Sequence, residues 1–466
     1  MSLSYSVTSH ETFSHDSLDS LGYDWERIAN PYIEPKYPLK VYIPQTTEDI
    51  IAVVKEVKLL KQKLTVRSKG HSSNDLVLAE KGSVLCTEKL NRILEFDADE
   101  MVVYVQSGIV LAELDAYLTP KGFGLPIIGD HNHITAGGFA SVGGISPGSH
   151  RFGLFIDNIK RLEYVNWDGE VVTCGRDTNR EDFYRLLAGM GQFGVIATLT
   201  LDIIPINKDR EILKNKRFLT LDVDKFIDFS YLLITNPGDA LMERGVWLDL
   251  PALGTNIKVG QFSSYYQAKS GFFNSLRNRV AYGYMHALGR IAGRLPKVID
   301  ELVKYLGMLG VIFSPKYASV RNIESFTDKI LDSTVGDPTR MLIVLAPAEH
   351  YQNLFRQLYE LMLEYRKQYK CFTFISFYVK AINSEYLNQG DENRSYSELM
   401  LYLGVNPKEM TDELLNEVVS RIDDLTIEYG ALRYMHTKTV KDAERRQKVD
   451  PNAYYARGES AESNSF

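Results

Sequence analysis

Two glycine-containing segments, separated by about sixty residues, are the feature that most constrains this chain. They read Arg67-Ser68-Lys69-Gly70-His71-Ser72-Ser73-Asn74-Asp75 and Gly129-Asp130-His131-Asn132-His133-Ile134-Thr135-Ala136-Gly137-Gly138. The first follows a predicted amphipathic helix and a short apolar strand, so its glycine and hydroxyl residues fall in a strand-to-loop turn. Successive backbone N–H groups in such a turn can point at one anion, and a pyrophosphate would fit there. Gly70-His71-Ser72 alone is also typical of a surface turn, and it is the second segment that favours a binding site.

The helix and strand before the first segment are predicted from hydrophobic periodicity. Thr46 or Thr47 caps a helix, and Leu64-Thr65-Val66 forms the strand that enters the loop. One face of the helix carries the apolar residues Ile50, Ile51, Val53, Val54, Val57 and Leu60. Further along, Trp167-Asp168-Gly169 is the predicted turn of a hairpin.

Composition indicates a large protein with two domains. The chain has 466 residues, 44% apolar and 24% charged, which is more than one hydrophobic core usually supports. Its net charge of −7 argues against a general nucleic-acid binder, and no nucleic-acid partner is expected. Cys86, Cys174 and Cys371 are widely spaced, predict neither a disulfide framework nor a metal site, and are expected to be buried.

The N-terminal residues and the hydropathy pattern indicate the cellular compartment that we expect for this protein. Residues 1–30 carry acids, serines and histidines where a secretory signal would have a basic start and an apolar run. No apolar stretch approaches the roughly 20 residues needed to span a bilayer. The expected compartment is therefore the cytoplasm.

Residues 124–204 contain a series of short motifs that identifies a family. The motifs are Gly124-Leu125-Pro126, Thr135-Ala136-Gly137-Gly138, Ser149-His150-Arg151-Phe152-Gly153, Asp168-Gly169-Glu170-Val171-Val172-Thr173-Cys174, Asp182-Phe183-Tyr184 and Gly189-Met190-Gly191-Gln192-Phe193-Gly194-Val195-Ile196. Their order and spacing resemble the vanillyl-alcohol oxidase / p-cresol methylhydroxylase (PCMH) superfamily of FAD-linked oxidoreductases. The resemblance covers most of the chain and implies that FAD is the cofactor.

The resemblance and the periodicity together predict an α+β fold. A PCMH-type FAD-binding domain with two subdomains would occupy residues 1–205, a substrate domain would occupy 206–439, and a tail, 440–466, would return to the flavin domain. Residues 340–437 show the order strand 341–345, helix 349–367, strand 371–379, strand 398–403, helix 408–429, strand 431–436. This β-α-β-β-α-β order is typical of a ferredoxin-like unit.

The family resemblance also implies which residues hold the cofactor. His71 is expected to bond covalently to the flavin, as the histidine of a Gly-His-Ser motif often does in this superfamily; the alternative is a neutral, hydrogen-bonded loop histidine. Asp130 and His131 stand where twice-linked relatives have a cysteine, so a second covalent bond is not expected. The predicted cofactor-binding residues are Arg67, Ser68, Lys69, Gly70, His71, Ser72, Asp75, Gly129, Thr135, Gly137, Gly138, Ser141, Ile145, Gly194, Val195 and Ile196.

Three residues are predicted to act in catalysis. Asp130 resembles the aspartate that accepts a substrate proton in cytokinin dehydrogenases, and Glu243 resembles the glutamate at the mouth of that family's pocket. Lys438 resembles a lysine near the flavin in decaprenylphosphoryl-ribose oxidases and sugar-lactone or alditol oxidases, to which the C-terminal half is similar. Taken without the motifs, Asp130 is also typical of a turn or a helix cap, and Lys438 of a solvated strand end.

The predicted activity is transfer of a hydride from an alcohol or amine carbon of a small or lipid-linked molecule to the flavin N5. Ser149 to Phe155 also resembles sterol Δ24-reductases, which would need NADPH. A non-catalytic flavin-binding or ligand-binding descendant of the fold is the third reading.

Residues 269–297 are locally basic, although the chain as a whole is acidic. This stretch carries six basic residues and no acidic one, interleaved with aromatic and aliphatic residues. The pattern predicts contact with an anionic membrane surface or an anionic substrate, or else a solvated helix.

Overall fold

The structure is a computed structural model. It describes residues 20–24, 35–73, 76–131, 133–206, 212–252, 255–268, 271–291, 296, 302, 316–320, 323, 339–388, 394–439 and 442–455. Asp75 therefore lies outside the described residues, and so do Lys269, Arg294 and Lys297 of the basic stretch.

The N-terminal part, residues 35–206, combines a small parallel sheet with a larger antiparallel one. Its strands are β1 (Lys40–Tyr42), β2 (Leu64–Arg67), β3 (Ser83–Cys86), β4 (Ile93–Asp97), β5 (Val102–Gln106), β6 (Phe123–Gly124), β7 (Ile159–Val165), β8 (Val171–Gly175), β9 (Val195–Asp202) and β10 (Ile204–Pro205). Its helices are α1 (Thr47–Leu60), α2 (Leu111–Leu118), α3 (Ala136–Ala140), α4 (Ser149–Phe152) and α5 (Arg180–Leu186). The three-stranded sheet has the order β1-β3-β2, and the five-stranded sheet has the order β4-β5-β9-β7-β8.

Helix α1 begins where the capping pattern predicts. Thr46 is the N-cap, and its side chain and that of Asp49 form a reciprocal capping box. Its apolar face, including Val53 and Val57, packs between the two sheets. Leu60, which the periodicity assigns to that face, is half exposed at the end of the helix. The predicted hairpin is also confirmed, since β7 pairs with β8 across the turn and Val165 lies opposite Val171.

The rest of the chain forms one eight-stranded antiparallel sheet with helices on one side. Its strands are β11 (Ile212–Thr220), β12 (Met242–Ala252), β13 (Thr255–Gln267), β14 (Tyr317–Ser319), β15 (Thr339–Pro347), β16 (Phe372–Ile382), β17 (Tyr396–Val405) and β18 (Leu432–Arg433). Its helices are α6 (Val223–Thr235), α7 (Phe272–Ile291), α8 (Tyr351–Tyr369), α9 (Glu385–Asn388), α10 (Asp412–Glu428) and α11 (Ala443–Val449). Short 3₁₀ turns occur at Ser20–Gly22, Thr87–Lys89, Thr119–Lys121, Phe155–Asn158 and Ala348–His350.

The sheet consists of two ferredoxin-like units side by side. Its order is β14-β11-β13-β12-β16-β17-β15-β18. Counted from its own first strand, each unit has the order 4-1-3-2, and the two units join through the antiparallel pair β12 and β16. The sequence predicts the second unit, β15 to β18, with its helices α8 and α10; the first unit repeats the same plan with α6 and α7. This repeat places α7 and α10 at equivalent positions.

The two parts of the chain share a core. Apolar residues of the sheet, among them Ile343 and Ile382, pack in the same cluster as Phe139 and Phe155 of the N-terminal part. After α11 the chain returns to residues 184–187: the Asn452 Nδ2 donates to the carbonyl of Leu187 at 2.8 Å. In the described residues, no helix combines the length and apolar character needed to cross a membrane.

Candidate functional site

A cavity lies at the junction of the two parts, between the two glycine-containing segments and the face of the sheet that carries no helices. Its volume is about 500 Å³, within the range of roughly 300–1,000 Å³ that is typical of small-molecule sites. The predicted site residues that line it are Arg67, Ser68, Lys69, Gly70, His71, Ser72, Asp130, Thr135, Gly137, Gly138, Ser141, Ile145, Gly194 and Ile196. The two segments that the sequence singles out are therefore brought to one site.

The loop after β2 presents buried polar atoms to this cavity. Gly70 has a φ of +71°, and a Cβ there would overlap the guanidinium of Arg67. Arg67 is buried and donates from Nη2 to the carbonyl of Ser20 at 3.1 Å. Within the described part of the chain, the Arg67 Nη1 and the hydroxyls of Ser68 and Ser72 are buried without a hydrogen-bond partner. Because a buried polar group without a partner is costly, these atoms indicate a polar ligand.

The second segment packs its backbone tightly against the strand end at Ser107. The Gly137 N–H donates to the Ser107 carbonyl at 2.6 Å, and a Cβ on Gly137 would lie 2.7 Å from the Ser107 Cβ. The Ser107 hydroxyl lines the cavity and is another buried oxygen without a partner among the described residues. Only glycine permits this close approach.

Three histidine rings cluster at one end of the cavity. The His71 ring centroid is 3.9 Å from that of His131 and 5.8 Å from that of His133. All three residues line the cavity. The predicted flavin-linking histidine is thus exposed to the site and has two further imidazoles beside it.

A lysine between two carboxylates forms the charged centre of the cavity. The Lys380 Nζ donates to the Asp130 carboxylate and, at 2.7 Å, to the Glu398 Oε2. The side chains of Lys380 and Glu398 are 5% and 3% exposed, whereas that of Asp130 is 43% exposed. Asp130 is therefore the one of the two carboxylates that a ligand in the cavity can reach.

Electrostatics keep this lysine charged. Burial acts to lower the pKa of Lys380, but the carboxylates of Asp130 and Glu398 outweigh it and hold that pKa above its ordinary value. Burial raises the pKa of Glu398, and Lys380 opposes that rise. The ammonium is the cation that both carboxylates contact.

The C-terminal segment closes the cavity. The Ser73 hydroxyl donates to the carbonyl of His436 at 2.7 Å, and the Tyr434 hydroxyl accepts from the Gly144 N–H at 2.8 Å. Burial lowers the pKa of His436 to about 3, so its imidazole is neutral.

Two of the predicted catalytic residues do not reach this cavity. Glu243 lies on β12 on the same face as Gly245, where a Cβ would meet Phe226 and Phe262 under the helices. Its Oε1 accepts from the Ser264 hydroxyl at 2.8 Å. Because side chains alternate along a strand, it is the neighbouring Arg244 that lines the cavity.

Lys438 also lies outside the cavity lining. Its side chain is not among those that line the cavity, and its carbonyl accepts from the Arg433 Nη2 at 2.6 Å. Of the predicted cofactor residues, Gly129 and Val195 likewise do not line the cavity, and Val195 is buried in the core beneath α1.

Further residues of the site, most of them on the sheet, were not predicted. On the sheet these are Arg244, Tyr378, Lys380, Glu398, Met400 and Tyr402, and after β18 they are Tyr434 and His436. A signal was present, since Lys380 and Glu398 each interrupt an otherwise largely apolar strand, and a charge in a buried strand needs a partner.

Comparisons with known proteins define the class of the N-terminal part. Residues 38–175 match the family model for an FAD binding domain. The chain is 27% identical over 259 residues to cytokinin dehydrogenase 3 of Arabidopsis thaliana, a match covering 53% of this chain and 48% of that protein. It is 28% identical over 168 residues to L-gulonolactone oxidase of Bos taurus, covering 36% and 38%. It is 27% identical over 184 residues to D-arabinono-1,4-lactone oxidase of Candida glabrata, covering 38% and 34%.

The matched region thus spans less than half the length of these relatives. The cavity residues of segments 67–72 and 130–145 fall within the matched FAD binding domain. Residues 38–175 therefore match an FAD binding domain, in agreement with the flavin site that the motifs predict.

Proposed function

We propose that this protein is an FAD-dependent oxidoreductase that oxidises a carbon bearing a hydroxyl or amine group in a small or lipid-linked molecule. The observation that carries the proposal is the reachable carboxylate of Asp130, held by Lys380 in a cavity whose opposite wall is the flavin domain. Bound FAD would supply a hydride acceptor. The residues of this chain would bind the substrate and take its proton.

The buried polar atoms of the cavity fit the cofactor. Arg67 Nη1, Ser68 and Ser72 offer donors that suit a pyrophosphate. The Ser107 hydroxyl, beside the close-packed backbone of Gly137, offers a further buried polar group to the cavity. These residues would hold the FAD, and His71 would carry the covalent link, as its motif predicts.

Asp130 is the proposed proton acceptor. A positioned carboxylate that removes an O–H or N–H proton contributes typically 10²–10⁴-fold to a rate. Lys380 fixes the orientation of this carboxylate, because the ammonium donates directly to it. An ammonium has three N–H donors, and in the described part of the chain two of them reach Asp130 and Glu398. The third is available to a substrate oxygen.

The substrate class follows from the rest of the lining. The sheet contributes aromatic and apolar side chains, including Tyr378, Met400 and Tyr402, beside the charged group. Such a wall suits an organic molecule with one polar end next to Asp130. Relatives named for cytokinins and for sugar lactones are consistent with small-molecule substrates.

Glu243 and Lys438 are not part of this proposal, because neither lines the cavity. None of the α7 side chains that the structure describes lines it either. An anionic substrate bound through the basic stretch is therefore not proposed.

The test is an anaerobic panel of alcohols, lactols and amines in which bleaching of the bound flavin is followed spectroscopically. Bleaching by one compound class, followed by reoxidation with an added acceptor, is the expected result. Bleaching by NADPH alone would favour the reductase alternative. A flavin that no organic substrate and no pyridine nucleotide reduces would favour a non-catalytic protein.

A further inference from the structure

Helix α7 exposes its apolar side to solvent. Phe272 and Phe273 are 76% and 74% exposed, and Val280 and Tyr284 are 63% and 60% exposed. Phe272, Leu276, Val280 and Tyr284 follow one another at four-residue spacing, so they form one stripe along the helix. Contiguous exposed apolar side chains of this size mark an interaction surface.

In the first turns of the same helix, the opposite side is polar and faces the protein. The Asn278 Oδ1 accepts from the backbone N–H of Ser319 in β14 at 3.0 Å. Asn274 and Asn278 are partly buried on this side. In these first turns the usual amphipathic arrangement, in which apolar residues face the core, is thus reversed.

The internal repeat supplies a direct comparison. Helix α10 occupies the equivalent position in the second ferredoxin-like unit, and it buries its apolar residues, among them Val418 and Ile422, against the sheet. The fold therefore does not require the apolar side of a helix at this position to face solvent. The exposed stripe is a property of α7 itself.

Charge indicates what covers the stripe. Arg277 and Arg279 are exposed and follow the stripe on its two sides, since each is adjacent in sequence to a stripe residue. Residues 269–297 contain six basic residues and no acidic one, in a chain whose net charge is −7. An apolar face bordered by arginines is complementary to an anionic lipid surface, where the apolar residues enter the headgroup boundary and the arginines pair with phosphates.

We propose that α7 docks this protein onto anionic lipid bilayers, lying in the plane of the surface. The proposal is independent of the oxidoreductase activity, because none of the α7 side chains in the described part of the chain lines the cavity. Helix α7 is attached instead to β14, at the edge of the sheet.

The experiment is co-sedimentation of the purified holoprotein with vesicles of pure phosphatidylcholine and with vesicles that also contain phosphatidylglycerol, at low and high salt. Binding is expected only to the anionic vesicles and only at low salt. Arg277→Gln with Arg279→Gln should weaken binding about fivefold per arginine. Phe272→Ser with Phe273→Ser should weaken it about tenfold or more per side chain.

The control is Leu59→Ser with Lys61→Gln, a pair of exposed apolar and basic residues at the end of α1. This variant should bind like the unchanged protein, and flavin content and circular dichroism should be the same in all variants. Absence of binding to anionic vesicles, or binding that survives the α7 changes, would overturn the proposal. So would a dimer in analytical ultracentrifugation that Phe272→Ser and Phe273→Ser dissociate, because a second copy would then cover the stripe.

Discussion

Lys380 and Glu398 lie directly opposite each other on neighbouring antiparallel strands, and their side chains form a buried ion pair with 2.7 Å between Nζ and Oε2. The same ammonium reaches across to Asp130 in the N-terminal part. One lysine therefore joins the two halves of the molecule at the cavity. Breaking such a pair leaves a buried charge without a partner.

Lys380→Met should slow substrate-dependent reduction of the flavin by roughly a hundredfold, because the proton acceptor loses the group that orients it. Stability should also fall further than in the unchanged protein as the pH rises past the ordinary pKa of a glutamate, since Glu398 loses the cation that opposes the effect of burial on its pKa. Single-turnover kinetics would measure the rate, and urea unfolding across a pH series would measure the stability.

The double variant Lys380→Met with Glu398→Gln is the matched control for that experiment. It removes both buried ionisable groups, so the additional fall in stability should disappear while the rate stays low. An unchanged rate of flavin reduction in both variants would mean that Lys380 has only a structural role.

Asp130→Asn should leave FAD bound and slow flavin reduction by about 10²–10⁴-fold, the usual worth of a positioned base. Stopped-flow absorbance with the best compound of the substrate panel would measure this rate. Asp168→Asn, which changes the exposed partner of Lys58, should have no effect. Equal rates in the Asp130 variant and the unchanged protein would leave Asp130 as a structural partner of Lys380.

His71→Ala should release the flavin on acid precipitation, whereas the unchanged protein should keep its yellow colour in the pellet. The reason is the proposed covalent bond to this imidazole. His133→Ala is the control, since that ring lies in the same cluster, 5.8 Å from His71, but outside the Gly-His-Ser motif. Complete loss of colour to the supernatant from the unchanged protein would show that the link does not form.

Glu243→Gln should change the pH dependence of stability. Burial raises the pKa of Glu243 to about 7 from an ordinary value of 4.5. Between these two values the unfolded chain releases the proton and the folded chain keeps it. Stability therefore falls as the pH rises through this window, by about 3 kcal/mol, and stays lower above it.

Glutamine keeps an oxygen for the Ser264 hydroxyl but does not ionise, so the variant should lose this fall and be the more stable protein at pH 8. Urea unfolding at a series of pH values would measure the difference. Glu428→Gln, an exposed change on α10, is the control. Parallel pH curves for the Glu243 variant and the unchanged protein would contradict the assignment.

The local features of the fold could be predicted from the sequence. The capping box at Thr46, the Trp167-Asp168-Gly169 hairpin and the loop around Gly70 depend on residues close together in the chain. The order of elements in the second ferredoxin-like unit follows from periodicity in the same way. The first unit was not recognised, although the structure gives it the same strand order.

The flavin segments and Asp130 were determined by the sequence itself, because their motifs are contiguous and their backbone geometry is local. The pairing of Lys380 with Glu398 depends instead on the register between two strands, and the contact with Asp130 depends on how the sheet packs on the flavin domain. The face on which Glu243 lies is also fixed by that sheet, since adjacent residues of a strand point to opposite sides. Only the tertiary structure could therefore show that the charged groups beside Asp130 are Lys380 and Glu398, and that Lys438 and Glu243 lie elsewhere.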